Sequence, residues 1–434
     1  MKPDTYYGER LLAENVSVSN DIYETGLNNN DLIIGPTGAG KTGGYVIPNI
    51  IQLSGSIVVA DTKCNLYKKY GPYLRASGYR TVLFDLVEPE NSDTYNPLDY
   101  IAMDSEGQVR EQDVMTVVNA LAPALDSKEP FWDESAKTVL ACLVSFVKEA
   151  FEPEEQNLRT VAEVYGVMNS QYNQSLNEKG APYIAFLEEW ALKRPESFAS
   201  KKYFMFRGVM GADKTWACIC QFVTEAIDIF NFKEAEKLFF GKSDFRLATL
   251  GREHCALFLN ISDTDRTFDK IVNLFYAQVI HELCVEADRS PGSRLRVPVR
   301  VIMDDFATNT NVANFDKMIS VIRSRDISVS LILQSLTQLY TIYKESAAMT
   351  IVNNCDHILY LGGNDAKTAE FISLYADIPV TKVLWMPRDK AYLVTRGERA
   401  RLVDKIKPYS ITAEVPQDED PFSIDDFFDS DVPF

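Results

Sequence analysis

The chain has 434 residues, 46% apolar and 24% charged, a balance that excludes a mostly disordered or fibrous protein. Its formal charge is −18, but the last 27 residues hold eight carboxylates and no Lys or Arg, leaving −10 for the rest. An acidic body excludes broad basic-surface binding to duplex nucleic acid and leaves room only for a locally basic channel.

The seven cysteines show no framework spacing, so reduced thiols in a cytosolic protein are expected. With three histidines in the chain, pairs such as His281 with Cys284 and Cys355 with His357 read as buried small residues rather than a metal site. No apolar run reaches the roughly 18 residues of a membrane helix, and no signal peptide follows Met1, so the chain as given reads as soluble.

In chain order, short β-rich runs fall at 32–34, 56–61 and 81–85, then at 255–261, 297–304, 328–334, 357–361 and 391–395. Separated by helical patterns, they predict an α/β fold with a mainly parallel sheet. Several end in Asp or Gln, where such sheets carry site residues. Between 96 and 245 the strand runs disappear, and helical periodicity at 133–151, 158–169, 183–193 and 218–231 takes over. This predicts an inserted all-helical domain (96–245) between two halves of a sheet domain (1–95 and 246–410). Apolar positions Phe268, Ile271, Val272, Phe275, Val279 and Ile280 predict one further amphipathic helix, with Asp263, Thr264 and Asp265 as caps. The acidic end, 411–434, has four phenylalanines without a period and reads as a disordered tail; as a second reading, it is a partner-binding segment.

The motif GPTGAGKT carries the strongest chemistry. It comprises Gly35, Pro36, Thr37, Gly38, Ala39, Gly40, Lys41 and Thr42, between an apolar strand and a helix, which is the context of a P-loop. Its glycines let backbone amides wrap a phosphate, Lys41 reaches the β- and γ-phosphates of ATP, and the Thr42 hydroxyl ligates Mg²⁺. VPVRVIMDD supplies the second acid site at a strand end: Asp304 for the metal, Asp305 to orient the attacking water. A further strand ends at Gln334, whose amide can report on the γ-phosphate. Between these strands stand Arg323 and Arg325, either of which can serve a neighbouring subunit's γ-phosphate or a surface salt bridge. Asp61 and Lys63 can hold the P-loop, contact nucleic acid, or pair with each other. Basic clusters at Lys201, Lys202 and Arg207, at Arg289, Arg294 and Arg296, and at Arg396, Arg399 and Arg401 are candidates for strand contact, though most such runs are solvated faces.

The ordered set GPTGAGKT, SIVVADTK, YNPLD, FWDESAK, VIMDDFA, IRSRD and LILQSLTQL resembles the coupling-protein ATPases of type IV secretion and conjugation. These are the TraG/TraD-like members of the FtsK-like motor group, and the match runs over about 26–396. The resemblance implies a RecA-like P-loop NTPase domain with an inserted all-α domain. It implies a ring homohexamer with ATP and Mg²⁺ at subunit interfaces and single-stranded DNA in a central channel. It further implies recruitment of relaxase and relaxosome proteins and delivery to a type IV secretion channel at the inner membrane. Within it, the trans-acting arginine is Arg323, the glutamine is Gln334, and the substrate-facing domain begins around Phe131 and Trp132.

Two departures stand out. Family members usually carry Glu where this chain has Asp305, and they usually carry N-terminal transmembrane helices. Cytoplasmic residence, with membrane association through a removed segment or a partner, is therefore expected. Two other readings stay open: a nucleotide-gated docking adaptor with little hydrolysis, and another FtsK-like DNA translocase.

Overall fold

The computed structural model describes residues 7–62, 64–123, 130–173, 181–306 and 311–413. Lys63 and the acidic tail from 414 onward, singled out above, lie outside the described residues.

Eleven strands form two sheets among the described residues. A small hairpin, β1 (Glu9–Ala13) and β2 (Val16–Ser19), turns at Asn15, which adopts φ +57°. The main sheet contains β3 (Asp31–Ile34), β4 (Ser56–Asp61), β5 (Arg80–Asp85), β6 (Cys255–Asn260) and β7 (Val299–Met303). It continues with β8 (Ile327–Leu333), β9 (His357–Tyr360), β10 (Lys390–Thr395) and β11 (Arg401–Asp404). The spatial order is β11-β10-β9-β3-β8-β7-β4-β6-β5; β9 through β5 pair in parallel, and β10 and β11 are antiparallel.

All eight predicted strands are present. β1, β2 and β11 had no readable signal because they are short edge pieces rich in charge and hydroxyls, and β11 is largely exposed. The central parallel strands are buried on both faces, which is why they read as unbroken apolar runs.

Two apolar layers sandwich the sheet. Ile33, Val59, Phe258 and Ile332 face one core with Tyr45, Ile50, Tyr70 and Leu74. These come from α2 (Ile47–Ile51), the turn before it, and α3 (Asn65–Ala76); a single turn, α1 (Ile22–Thr25), precedes β3. On the other face, Leu32, Ile34, Val58 and Phe84 join a larger core.

The larger core continues into the helical stretch. Between β5 and its parallel neighbour β6 lie α4 (Glu111–Leu121), α5 (Pro130–Ala150), α6 (Leu158–Asn173) and α7 (Ala181–Lys193). They are followed by α8 (Phe198–Arg207), α9 (Asp213–Ile227) and α10 (Lys233–Phe239). The chain between two adjacent strands at the sheet's edge has thus grown into a helical layer, without cutting a central pairing. Val139, Leu143 and Trp216 lie in the same apolar cluster as the sheet residues.

The predicted helix after β6 is α11 (Asp269–Arg289), but its capping differs from expectation. It starts later than Asp265, with Phe268 at the cap position and no side-chain cap bond. Asp265 instead accepts from the Thr267 N–H at 2.9 Å, so its carboxylate is spent on a local turn before the helix begins. The last helices are α12 (Phe315–Val321), α13 (Leu336–Asn353), α14 (Ala366–Ala376) and α15 (Val380–Leu384).

At the amino end of β3 sits a buried ionic network absent from the sequence reading. The Asp31 carboxylate accepts from Arg10 at 3.0 Å, from Arg300 at 3.2 Å and from the Tyr45 hydroxyl at 2.6 Å. Burial pushes the Asp31 carboxyl up, but Arg10 and Arg300 outweigh it and hold the group below its ordinary value. Arg10 also donates to His357 Nδ1 at 2.9 Å. A guanidinium has no acceptor, so Nδ1 must carry its lone pair and the ring is neutral.

Burial, helped by Arg10 and Arg300 against the pull of Asp31, lowers the His357 pKa from 6.5 to about 4. Because the folded value lies below the unfolded one, the unfolded chain binds the extra proton first as pH falls. This contribution to stability is complete above about pH 6.5 and is lost progressively down to about pH 4. Urea midpoints measured between pH 7.5 and 4.5 should fall for the wild type and fall less steeply for His357→Gln; parallel curves would exclude His357 as a source.

Candidate functional site

The carboxyl ends of the parallel strands form one edge, and the candidate residues gather there. In the order β3-β8-β7, the P-loop strand and the acid strand flank the strand that leads directly to Gln334. Ile34 is level with Leu333 and Met303 with Leu331, so Gly35 lies beside Gln334, and Asp304 lies one strand further. A residue's distance along the sequence is irrelevant here; parallel register brings positions 35, 304 and 334 to one rim.

The P-loop leaves β3 with Gly38 at φ +80° and Gly40 at φ +91°, conformations that a side chain disfavours. Lys41 is buried and donates from Nζ to the Gly35 carbonyl at 2.8 Å and the Pro36 carbonyl at 3.2 Å. The ammonium is thus held inside the loop's own curve. Thr42 opens a π-wound turn, Thr42–Val46, that runs into α2. Its hydroxyl donates to Asp304 Oδ2 at 2.8 Å, across a separation of 262 residues.

Asp304 is the electrostatic centre of the rim. Burial and then the neighbouring Asp305 charge raise its pKa, while the Thr42 hydroxyl and Lys41 partly counter them. Two adjacent carboxylates, one deeply buried, favour a cation between them and the Thr42 hydroxyl. Asp305 has φ +50°, its N–H donates to Asp304 Oδ1 at 3.0 Å, and its Oδ1 is a buried oxygen without a hydrogen-bond partner among the described residues. An orphaned buried carboxylate oxygen is the chemistry expected of a group that binds water or a metal-bound ligand. The residues present therefore fit Mg²⁺ and a triphosphate: amides and Lys41 for the anion, Thr42 and Asp304 for the cation.

Gln334 stands at the rim between the two and leads into α13. The Gln338 side chain accepts its backbone N–H at 3.2 Å, which fixes the backbone there.

The two arginines separate clearly. Arg325 makes a two-pronged pair with Asp288, at 2.8 and 3.1 Å, so it ties β8's entry to α11. Arg323 is exposed and donates to the Gly26 carbonyl at 2.9 Å. It precedes β8 and thus lies at the amino edge, one seven-residue strand (roughly 20 Å) from the rim that carries Lys41. Within one subunit, Arg323 and the P-loop face opposite edges.

The Asp61 carboxylate accepts the N–H groups of Asn65, Leu66 and Tyr67 at 3.1, 2.8 and 3.0 Å, anchoring the start of α3. Several members of the basic clusters are paired: Arg207 with Glu188, Arg294 with Asp326, Arg396 with Asp356, and Arg399 with Asp377. Arg396 also donates to the Gly26 carbonyl, at 3.1 Å, beside Arg323.

Sequence reasoning missed Asp31, Tyr45, Arg10 and Arg300, which brace the strand and turn on either side of the P-loop. One signal was present: Arg300 is a charge in the middle of an otherwise apolar strand, a position that demands a buried partner.

Comparison with known proteins agrees with this geometry. The family described as Type IV secretory system Conjugative DNA transfer matches residues 5–375. Protein VirD4 of Agrobacterium fabrum is 24% identical over 347 residues, covering 79% of this chain and 48% of VirD4. VirD4 of Rhizobium rhizogenes is equally similar, so the chain spans about half the length of these curated relatives. Among solved structures, the bacterial conjugative coupling protein TrwBdeltaN70 superposes with a TM-score of 0.65 at 13% identity, over 93% of this chain and 89% of that one. Plasmid coupling protein TrwB in complex with ADP and Mg2+ gives 0.61 at 14%, over 88% and 86%. The α/β fold, with its mainly parallel sheet and P-loop rim, is that of the RecA-like coupling proteins, and the chain belongs to the type IV secretory system conjugative DNA transfer family.

Proposed function

We propose that this protein is an ATP-driven coupling protein. It recruits relaxase–single-stranded DNA substrates and drives or gates their delivery to a type IV secretion channel during conjugation. The observation that carries this reading is the 2.8 Å bond between Thr42 and Asp304, which joins the P-loop to the second acid site at one rim. Bound Mg²⁺ would neutralise phosphate charge there. Lys41 would hold the β- and γ-phosphates, Asp305 would orient the attacking water, and Gln334 would report whether the γ-phosphate is present.

The placement of Arg323 supports a ring. It cannot reach its own P-loop across the sheet, but it can serve that of a neighbouring subunit in a homohexamer with ATP at its interfaces. The single strand would pass through the central channel, and the helical layer (96–245) would face relaxosome proteins. No helix among the described residues is long and apolar enough to cross a membrane. In this reading the protein acts in association with the channel at the inner membrane.

A second reading is favoured by Asp305: a nucleotide-gated adaptor that binds ATP for assembly and hydrolyses little. Its side chain is one methylene shorter than the family's usual Glu and starts from a left-handed backbone. Steady-state ATP hydrolysis with and without single-stranded DNA separates the two. A motor gives DNA-stimulated hydrolysis that falls by about 10²-fold in Asp305→Ala, the low end of general-base effects. An adaptor gives negligible hydrolysis, which Asp305→Glu switches on.

A further inference from the structure

The P-loop is followed by Gly43 and Gly44 at the start of a helix, where glycine is disfavoured relative to alanine. The reason is a segment from the other end of the chain. A Cβ on Gly44 would sit 2.8 Å from the Ile406 carbonyl oxygen. One on Gly43 would meet Pro408 Cβ at 3.0 Å and the Tyr409 ring at 3.1 and 3.2 Å, and one on Gly40 would meet Pro408 Cγ at 3.0 Å. Residues 406–409, just after β11, therefore lie flat against the first turn of the phosphate-binding helix.

A hydrogen bond fixes the contact. In the π-wound turn, Ile47 donates to the Thr42 carbonyl, five residues back. The corresponding donor for the Gly43 carbonyl would be residue 48, a proline without an N–H. The orphaned carbonyl accepts instead from the Tyr409 N–H at 3.2 Å. Tyr409 adopts φ +62° in this position, yet the residue is 61% exposed. Lys405, at the head of the segment, donates from Nζ to the Leu361 carbonyl at 2.7 Å, tying the segment to the loop after β9.

Along a P-loop the contacts run in order: Lys41 serves the β- and γ-phosphates, and the amides around it cradle the α- and β-phosphates. The nucleoside leaves the loop beyond the α-phosphate, past Thr42, on the side where Tyr409 lies on Gly43. The exposed Tyr409 ring, braced by backbone contacts and with the Lys69 ammonium 6.0 Å from its centroid, is suited to stacking a base.

We propose that Tyr409 is the platform for the base of the bound nucleotide, and that 406–409 is a strap joining the base site to the P-loop helix. This rests on the reading that the P-loop binds ATP. The strap makes Tyr409 a specificity-determining residue: it contributes to affinity for a nucleotide but not for a bare triphosphate chain.

The test is direct calorimetry of Mg-ATP and of Mg-tripolyphosphate on the full chain, comparing wild type, Tyr409→Ala, Tyr409→Phe and Lys41→Ala. Tyr409→Ala should weaken ATP about tenfold, equivalent to about 1.4 kcal/mol, and leave tripolyphosphate unchanged. Tyr409→Phe should bind ATP within about twofold of wild type. Equal weakening of both ligands in Tyr409→Ala would reduce the ring to a structural brace, and unchanged ATP binding would remove it from the site; either overturns the proposal. Failure of the underlying reading looks different: wild type that binds neither ligand, or Lys41→Ala that binds both as well as wild type.

Discussion

Arg323→Ala is expected to lower the DNA-stimulated kcat for ATP by on the order of 10³-fold while leaving ATP affinity within about twofold. The size follows from what a guanidinium supplied in trans contributes to phosphoryl transfer. The selectivity follows from position: Arg323 lies at the amino edge, away from its own subunit's Lys41, so removing it leaves the nucleotide pocket of that subunit intact. Arg325→Ala is the control, because that side chain is spent on Asp288 and should alter stability rather than turnover. Co-assembly gives the sharper result. Subunits carrying Arg323→Ala mixed with subunits carrying Lys41→Ala should regain part of the lost rate, since some interfaces then combine an intact lysine with an intact arginine. Mixtures that stay inactive, or a large kcat loss in Arg325→Ala instead, would sink the assignment.

Asp31→Ala should destabilise the protein by about 3–5 kcal/mol, the range seen when one partner of a buried ion pair is deleted. The substitution leaves Arg10 and Arg300 buried, 1% and 8% exposed, without their shared carboxylate. It also removes the acceptor of the Tyr45 hydroxyl, so the turn after the P-loop loses its tie to β3. A drop in the urea midpoint should therefore be accompanied by weaker ATP binding. Removing the charges together distinguishes charge compensation from geometry. Arg10→Met/Asp31→Leu/Arg300→Met should lose less stability than Asp31→Ala, because no charge then stays buried alone. A triple variant as unstable as the single one would point to packing instead.

Much of the site was legible from short-range signals. GPTGAGKT names its own chemistry, because cradling a phosphate requires consecutive backbone amides, glycines at φ near +80° to +90°, and a lysine at a fixed offset. The acid pair was legible because an apolar strand that ends in two carboxylates must place them at the sheet's edge. The residues alone did not separate the two arginines, since they lie two apart in one turn; the resemblance pointed to Arg323, and the partners, Asp288 for Arg325 and Gly26 for Arg323, tell them apart in the structure.

The sequence by itself determined eight strands of the main sheet, the long helical stretch and the candidates for the phosphate and metal-side residues, because these depend on periodicity and local backbone chemistry. Only the tertiary structure decided which residues meet. Register across β3, β8 and β7 brought Thr42 to Asp304. The edge hairpin returned the chain so that Tyr409 lies on Gly43, a contact between residues 366 positions apart. Burial at the amino end of β3 joined Arg10, Asp31, Arg300 and His357. Apart from the charge of Arg300 within an apolar strand, such contacts leave no pattern in the chain, since a buried charge is specified by its partner in space and not by its neighbours in sequence.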